Sequence, residues 1–345
     1  MIGRESDLGC EGVLCAMIVT PEEVRALHRE SLIVDTHCDA LGAVVRGERR
    51  LGERSTQGQF DLPRALEGGV TAELLAIYLK TPQPGSCMRQ TVEYLDAFHR
   101  EVEAFSDVAV AATRVDDVLR AKEQGKVALI LTMEGAEALE GDLSFLRVCH
   151  RLGVRSLGLT WNRRNEAADG VGELRTGGGL SEFGVRLVKE CNRLGILIDM
   201  AHLAPAGVED VLELSEAPVV VTHGNSHALV PFMRNLTDAQ LEAIAAKGGA
   251  VGVTAVPRFL SENEDRAPLS AMLDHVDHMV KVMGEDGVGI GTDFDGVRDA
   301  RVEGLEDAST MPHLTAGLAE RGYGRQAIQK IMGGNFLRVF RQVMG

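Results

Sequence analysis

The sequence predicts a closed (β/α)8 barrel of the TIM type, built as one domain. Three observations predict it. Eight short apolar runs alternate with amphipathic stretches, the pattern of a parallel sheet covered by helices. The length of 345 residues suits one barrel, which fills about 250 residues or more. No Pro-, Gly- or Ser-rich linker divides the chain. An open doubly wound sheet would carry a glycine-rich fingerprint after its first strand. Here the first strand runs straight into Thr36-His37-Cys38-Asp39.

Each element has its own signal. Thr20-Pro21-Glu22-Glu23 opens a helix, with Thr as N-cap, Pro at the first helical position and Glu at the third. The predicted strands are 32–36, 69–78, 127–133, 154–160, 195–200, 218–222, 249–255 and 287–291. Between them, apolar residues recur near a period of 3.6. Val92, Leu95, Phe98, Val102 and Phe105 form one stripe. Phe145, Cys149 and Leu152 form a second, stopped by Gly153, and Leu187, Val188, Cys191 and Leu194 a third, stopped by Gly195. Thr237-x-x-Gln240 caps a fourth helix carrying Leu241 and Ile244. Leu269, Met272, Leu273, Val276, Val280 and Met283 form a fifth. Glycine before a strand is the expected helix stop.

The N-terminal residues 1–16 read as an extension outside the barrel, which spans 17–345. The segment carries Glu5, Asp7 and Glu11 against one Arg4 and a short apolar stretch, a poor signal peptide. Translation from Met17 is the simpler expectation.

Composition excludes several classes. The net charge is −15, which argues against nucleic acid and against anionic membrane surfaces, since both are bound by Lys and Arg. No apolar run approaches the roughly 18 residues of a membrane span. The 6 cysteines include no CxxC pair and no structural-zinc spacing. Reduced thiols in a cytoplasmic protein are the expectation.

In a barrel the active site lies at the C-terminal ends of the strands. His37 and Asp39 follow the first strand, Glu134 the third, His202 the fifth and His223 the sixth. Asp293 follows the eighth, with Asp295 two further on. A lone histidine at a strand end is more often a hydrogen-bonded core residue. Five imidazole and carboxylate groups at one mouth call for a divalent counter-charge. Histidines plus carboxylates without cysteine suit zinc or a similar first-row ion. His37-x-Asp39 at period two lets both side chains face one ion. Glu134 has two oxygens to bridge a pair of ions, and His202 and His223 would complete the second. By contrast, His275 and His278 lie on a helix and read as packing or solvated residues. Gly177-Gly178-Gly179 lacks the Lys-Ser/Thr of a phosphate loop and reads as a turn before a Ser181 helix cap.

These residues resemble the membrane dipeptidase (renal dipeptidase) family of binuclear zinc peptidases, from about Val34 to Phe340. The carrying segments are Asp35-Thr36-His37-Cys38-Asp39, Met133-Glu134-Gly135, Ile198-Asp199-Met200-Ala201-His202, Thr222-His223-Gly224-Asn225, Arg234-Asn235-Leu236-Thr237-Asp238, Gly291-Thr292-Asp293-Phe294-Asp295-Gly296 and Gly334-Asn335-Phe336-Leu337-Arg338. The resemblance implies a somewhat distorted barrel with two zinc ions. His37 and Asp39 would hold one, His202 and His223 the other, and Glu134 would bridge. Asp293 matches the family's proton-transfer aspartate. Arg234 matches the arginine that holds the substrate's terminal carboxylate, a task suited to a bidentate donor. Read alone, Arg234 is a loop arginine open to being a surface charge.

Two departures bear on the substrate. The family often has His in a Leu-Thr-His segment where this chain has Leu159-Thr160-Trp161-Asn162. The Trp161 indole N–H or the Asn162 amide is a candidate oxyanion donor. His227 stands where relatives often carry Arg.

The expected activity is hydrolysis of small dipeptides, including ones with a C-terminal D-residue, by a hydroxide bridging two zinc ions. Relatives of that family are often homodimers. The rival reading is another binuclear amide or ester hydrolase of the amidohydrolase type. Those usually begin with His-x-His and often bridge through a carboxylated lysine. Further alternatives are a non-catalytic metal-binding barrel and a phosphate-binding isomerase barrel.

Overall fold

A computed structural model describes residues 20–80, 85–263, 265–297 and 300–345. The expected extension 1–16 and the Met17 start lie outside the described residues. Eight strands form the barrel: β1 Ile33–Cys38, β2 Val70–Tyr78, β3 Val127–Glu134, β4 Val154–Gly158, β5 Leu197–Asp199, β6 Val220–Val221, β7 Ala250–Val253 and β8 Val288–Ile290. Each pairs in parallel with the next, and β1 pairs with β8, so the ring closes. Closure satisfies both edges of the sheet.

The alternation of strand side chains sorts the core into two layers. Val34, Ala72, Leu74, Ala128, Ile130, Leu197, Val220 and Ala250 pack together with Phe336, Val339 and Phe340 of the C-terminal helix Asn335–Met344. Their strand neighbours Ile33, Leu75, Leu129 and Leu131 pack in the other layer, with helical residues such as Leu95 and Leu146. A Cβ at Gly289 would meet the Phe336 ring at 2.5 Å, so glycine makes room for the plug. Glu134 continues the period-two row of Ala128 and Ile130 and therefore turns into the barrel mouth.

The helix signals hold locally. Thr20 and Thr237 each form a capping box, with Glu23 and Gln240 respectively. Gly195 ends the helix Glu182–Leu194 in the left-handed region at φ 69°. Ser181 caps that helix through Gly184 N–H, and of the triple glycine before it Gly177 ends the short helix Val171–Thr176 in the left-handed region at φ 63°.

Several expectations are corrected. The later strands are shorter than their apolar runs, because part of each run becomes helix cap or the loop carrying a site residue. β1 is longer and retains His37 within the ladder. Ala109–Ala111 adds a strand beside β3, and Arg266–Pro268 pairs with Arg301–Glu303 away from the barrel. Three residues are too few to display a period. Val92 and Leu152 are 47% and 39% exposed, off the buried side of their helices.

Candidate metal centre and substrate cavity

Six side chains from five strand ends meet at the barrel mouth. His37 Nε2 lies 3.6 Å from Asp39 Oδ2 and 3.7 Å from Glu134 Oε1. The same Glu134 oxygen lies 2.9 Å from His202 Nε2 and 3.7 Å from His223 Nε2. Candidate ligand atoms of His37, Glu134 and His223 fall within 4.8 Å of one another, as do those of His37, Asp39 and Asp293. One Glu134 oxygen therefore faces all three histidines, the His37 and His223 ring centroids lie 3.9 Å apart, and Asp39 and Asp293 gather beside His37. Neither ring nitrogen of the buried His37 has a hydrogen-bond partner among the described residues. An unpartnered imidazole facing carboxylates suits a metal ion, which accepts the lone pair and offsets the charge.

A second ring of residues orients this set. Asn162 Oδ1 lies 2.7 Å from His202 Nδ1 and can only accept, so that nitrogen carries the proton and Nε2 offers its lone pair. Thr222 Oγ1 donates to Asp199 Oδ2 at 2.6 Å. Its one proton is thereby used, so at 3.0 Å it accepts from His223 Nδ1, which leaves the lone pair on His223 Nε2, 2.9 Å from His202 Nε2. Asp199 Oδ1 also takes the N–H groups of Thr222 and Ala201, each at 2.9 Å. Asp35 repeats the device, taking the Thr292 N–H at 2.7 Å and its hydroxyl, just before Asp293. His202 and Asp293 are left-handed, at φ 66° and 63°. For a non-glycine residue that conformation costs about 1–3 kcal/mol and is commonest at functional sites. A Cβ at Gly296 would stand 1.9 Å from Asp293 Oδ1 and 2.6 Å from Asp39 Oδ2, so only glycine fits there.

Electrostatics show what the protein atoms lack. Burial pushes Glu134 well above the usual carboxylate range; Asp39 and Asp293 add to this against the pull of His37. Burial also raises Asp293 to about 7, with His37 opposing and Asp39 assisting. For His37, burial favours the neutral ring but is outweighed by Glu134, Asp39 and Asp293, which raise it to about 10. Burial holds His202 and His223 well below the usual histidine range. The three carboxylates crowded around His37 thus call for positive charge at this point.

The centre opens into a cavity of about 340 Å³. Trp161 and Tyr78 form part of its wall, with ring centroids 5.4 Å apart, and Trp161 lies 5.8 Å from His202. Arg234 also lines it. Its guanidinium is buried 5.7 Å from the Phe259 centroid, one nitrogen donating to His223 O at 3.3 Å while Nε has no partner. Burial draws Arg234 down to about 10 against the pull of Asp293 and Glu134. Arg258 lies on the wall beside it.

The structure brings together all nine residues singled out in the sequence: His37, Asp39, Glu134, His202, His223, Asp293, Arg234, Trp161 and Asn162. It refines Asn162, whose carbonyl oxygen is engaged by His202. Asp295 is held outside the centre by Arg49 and the Gln59 N–H. His275 accepts from Ser226 N–H at 3.0 Å and His278 pairs with Asp238 at 2.8 Å, so neither faces the centre. His227 does not line the cavity. Sequence reasoning gave no role to Asp199, Thr222, Tyr78, Arg258 or Phe259. An aspartate inside the apolar run Ile198-Asp199-Met200 was a usable signal.

The family model "Membrane dipeptidase (Peptidase family M19)" matches residues 21–344. "Dipeptidase tcpJ" of Claviceps purpurea is 34% identical over 296 residues, covering 83% of this chain and 69% of that protein. "Dipeptidase aclJ" of Aspergillus oryzae is 34% identical over 297 residues, covering 83% and 70%. A metallo peptidase from Rhodobacter sphaeroides, solved with a phosphinate mimic of the dipeptide L-Ala-D-Ala, superposes with a TM-score of 0.86 at 32% identity, over 91% of this chain and 99% of that one. The probable dipeptidase PvdM from Pseudomonas aeruginosa gives 0.85 at 27% identity, over 94% and 99%. On the match across nearly its whole length, this chain belongs to the membrane dipeptidase family, peptidase family M19.

Proposed function

We propose that this chain is a zinc-dependent dipeptidase that cleaves the single peptide bond of small dipeptides. The observation that carries the reading is the Glu134 carboxylate facing His37, His202 and His223 together, with Asp39 and Asp293 gathered beside His37. His37 and Asp39 would hold one ion, His202 and His223 a second, and the Glu134 carboxylate would serve both. Two zinc ions there would polarise the peptide carbonyl and supply a bridging hydroxide at neutral pH.

The chain's own residues do the rest. Arg234 grips the free carboxylate of the substrate with its planar fork, which places the scissile bond one residue away over the centre. Asp293 takes the proton of the attacking water on its carboxylate. It returns that proton to the departing amine nitrogen as the C–N bond breaks. A carboxyl raised by burial is suited to both transfers. Trp161 closes one wall and excludes water. The cavity volume suits a dipeptide, and the inhibitor bound to the Rhodobacter relative supports accepting a D-residue at the C-terminal position. Cytoplasmic operation belongs to the same reading, supported by the free thiols of Cys38, Cys149 and Cys191. Among the described residues, no helix is long and apolar enough to cross a membrane.

The test is a panel of dipeptides, varied in chirality at both positions and including C-terminal amides. Hydrolysis of free dipeptides with rejection of the amides supports the reading. Turnover of amides or esters in preference to free dipeptides replaces it with the amidohydrolase-type alternative.

A further inference from the structure

We propose that Arg258 is a specificity-determining residue that selects dipeptides whose C-terminal residue carries a side-chain carboxylate. The inference rests on the dipeptidase reading of this same site.

Arg258 sits on the short helix Pro257–Leu260, just beyond the end of β7, and so on the rim. Phe232 and Phe259 stack with centroids 4.9 Å apart. The Arg258 guanidinium lies 5.5 and 5.4 Å from those two centroids. Arg234 lies 5.7 Å from the same Phe259 ring. Two guanidinium groups therefore flank one aromatic residue, and both line the cavity. Their states differ. Arg234 is buried, at 5% exposure. Arg258 is exposed, and no carboxylate or hydrogen-bond acceptor engages it among the described residues. Arg46, another arginine on this wall, is committed to Glu48 at 2.7 Å.

Two neighbouring cations on one wall repel each other, and a ligand bearing two negative charges removes that cost. Arg234 deep in the cavity takes the α-carboxylate. A second carboxylate, one or two methylenes along the side chain of the same residue, reaches toward the rim and Arg258. The aromatic plates hold the Arg258 fork in place, so little freedom is lost on binding. A partly exposed charge-assisted pair of this kind corresponds to roughly tenfold discrimination or more.

The experiment compares L-Ala-Glu, L-Ala-Gln and L-Ala-Ala, each with the C-terminal residue in L and in D form. Metal-loaded wild type is set beside Arg258→Gln and Arg258→Glu. We expect kcat/KM for Glu over Gln to be roughly tenfold or higher in wild type. The ratio should fall to near one in Arg258→Gln and invert in Arg258→Glu, with the change mainly in KM. A wild-type ratio near one overturns the inference. So does a loss in Arg258→Gln shared equally by all three substrates, which would make Arg258 a second holder of the α-carboxylate. If the loaded protein hydrolyses none of them, the dipeptidase reading has failed. Calorimetric binding of the same intact pairs then decides the role of Arg258 by the same ratio.

Discussion

Asn162 Oδ1 meets His202 Nδ1 at 2.7 Å, across forty positions of sequence, and this one bond sets which nitrogen of His202 faces Glu134. An amide oxygen can only accept, so the ring proton stays on Nδ1. Nε2 is left as a lone pair 2.9 Å from the central carboxylate. Asn162→Ala removes that constraint. We expect zinc affinity to fall by about 10- to 100-fold, the usual range for an outer partner of a metal-bound histidine. A zinc-competition titration checks it, and unchanged affinity would show that the bond is incidental.

Thr222→Val keeps the shape of the side chain but deletes the hydroxyl between Asp199 and His223. Asp199 loses one of its donors and His223 loses the acceptor that fixes its tautomer. Zinc affinity is expected to drop by about 10-fold or more, with Thr222→Ser restoring most of it. If valine and serine behave alike, the hydroxyl does not orient His223.

Asp293→Asn removes the proposed proton carrier while preserving volume. The variant is expected to bind the same metal complement as wild type and to lose about 10²–10⁴ in kcat, the contribution of a positioned acid–base group. Metal analysis and steady-state kinetics on one preparation check both halves. Near-wild-type turnover would remove Asp293 from the proton path.

His275 predicts a pH dependence of the fold itself. Burial holds its imidazole at about 4, below the 6.5 of an unperturbed histidine. The folded state therefore favours the neutral ring, whose Nδ1 accepts from the Ser226 N–H. That stabilisation is complete above pH 6.5 and is lost as the pH falls through about 4. Melting curves of the metal-free protein should show Tm falling across this window. His275→Asn should show a shallower fall; an identical slope would assign the acid sensitivity to other groups.

The parts of the site that were legible in the sequence share one physical cause. His37, Glu134 and Asp293 interrupt or end apolar strands, and a parallel barrel gathers all such ends at one mouth. The order of strands therefore stood in for three-dimensional proximity. The supporting bonds had no such shortcut. Asn162 reaches His202 from a loop after β4, and the Asp199–Thr222 contact depends on the stagger of β5 against β6. Side-chain hydrogen bonds between loops carry no periodic signal. Arg258 was equally silent, because an arginine after Pro257 looks like an ordinary surface charge until Phe232 and Phe259 are seen beneath it. Strand lengths failed for a related reason. An apolar run marks burial, and β6 keeps only Val220–Val221 in the ladder, with the next N–H, that of Thr222, going to the Asp199 carboxylate.

The most direct test of the central claim is a titration of chelated protein with zinc, following dipeptide hydrolysis and bound metal together. The account predicts no turnover in the metal-free protein, and activity that is complete when two ions are bound per chain. It further predicts that Glu134→Gln, which weakens the shared ligand, disturbs both binding steps. Full hydrolysis by the metal-free protein, or full activity with a single ion and an intact Glu134, would contradict it.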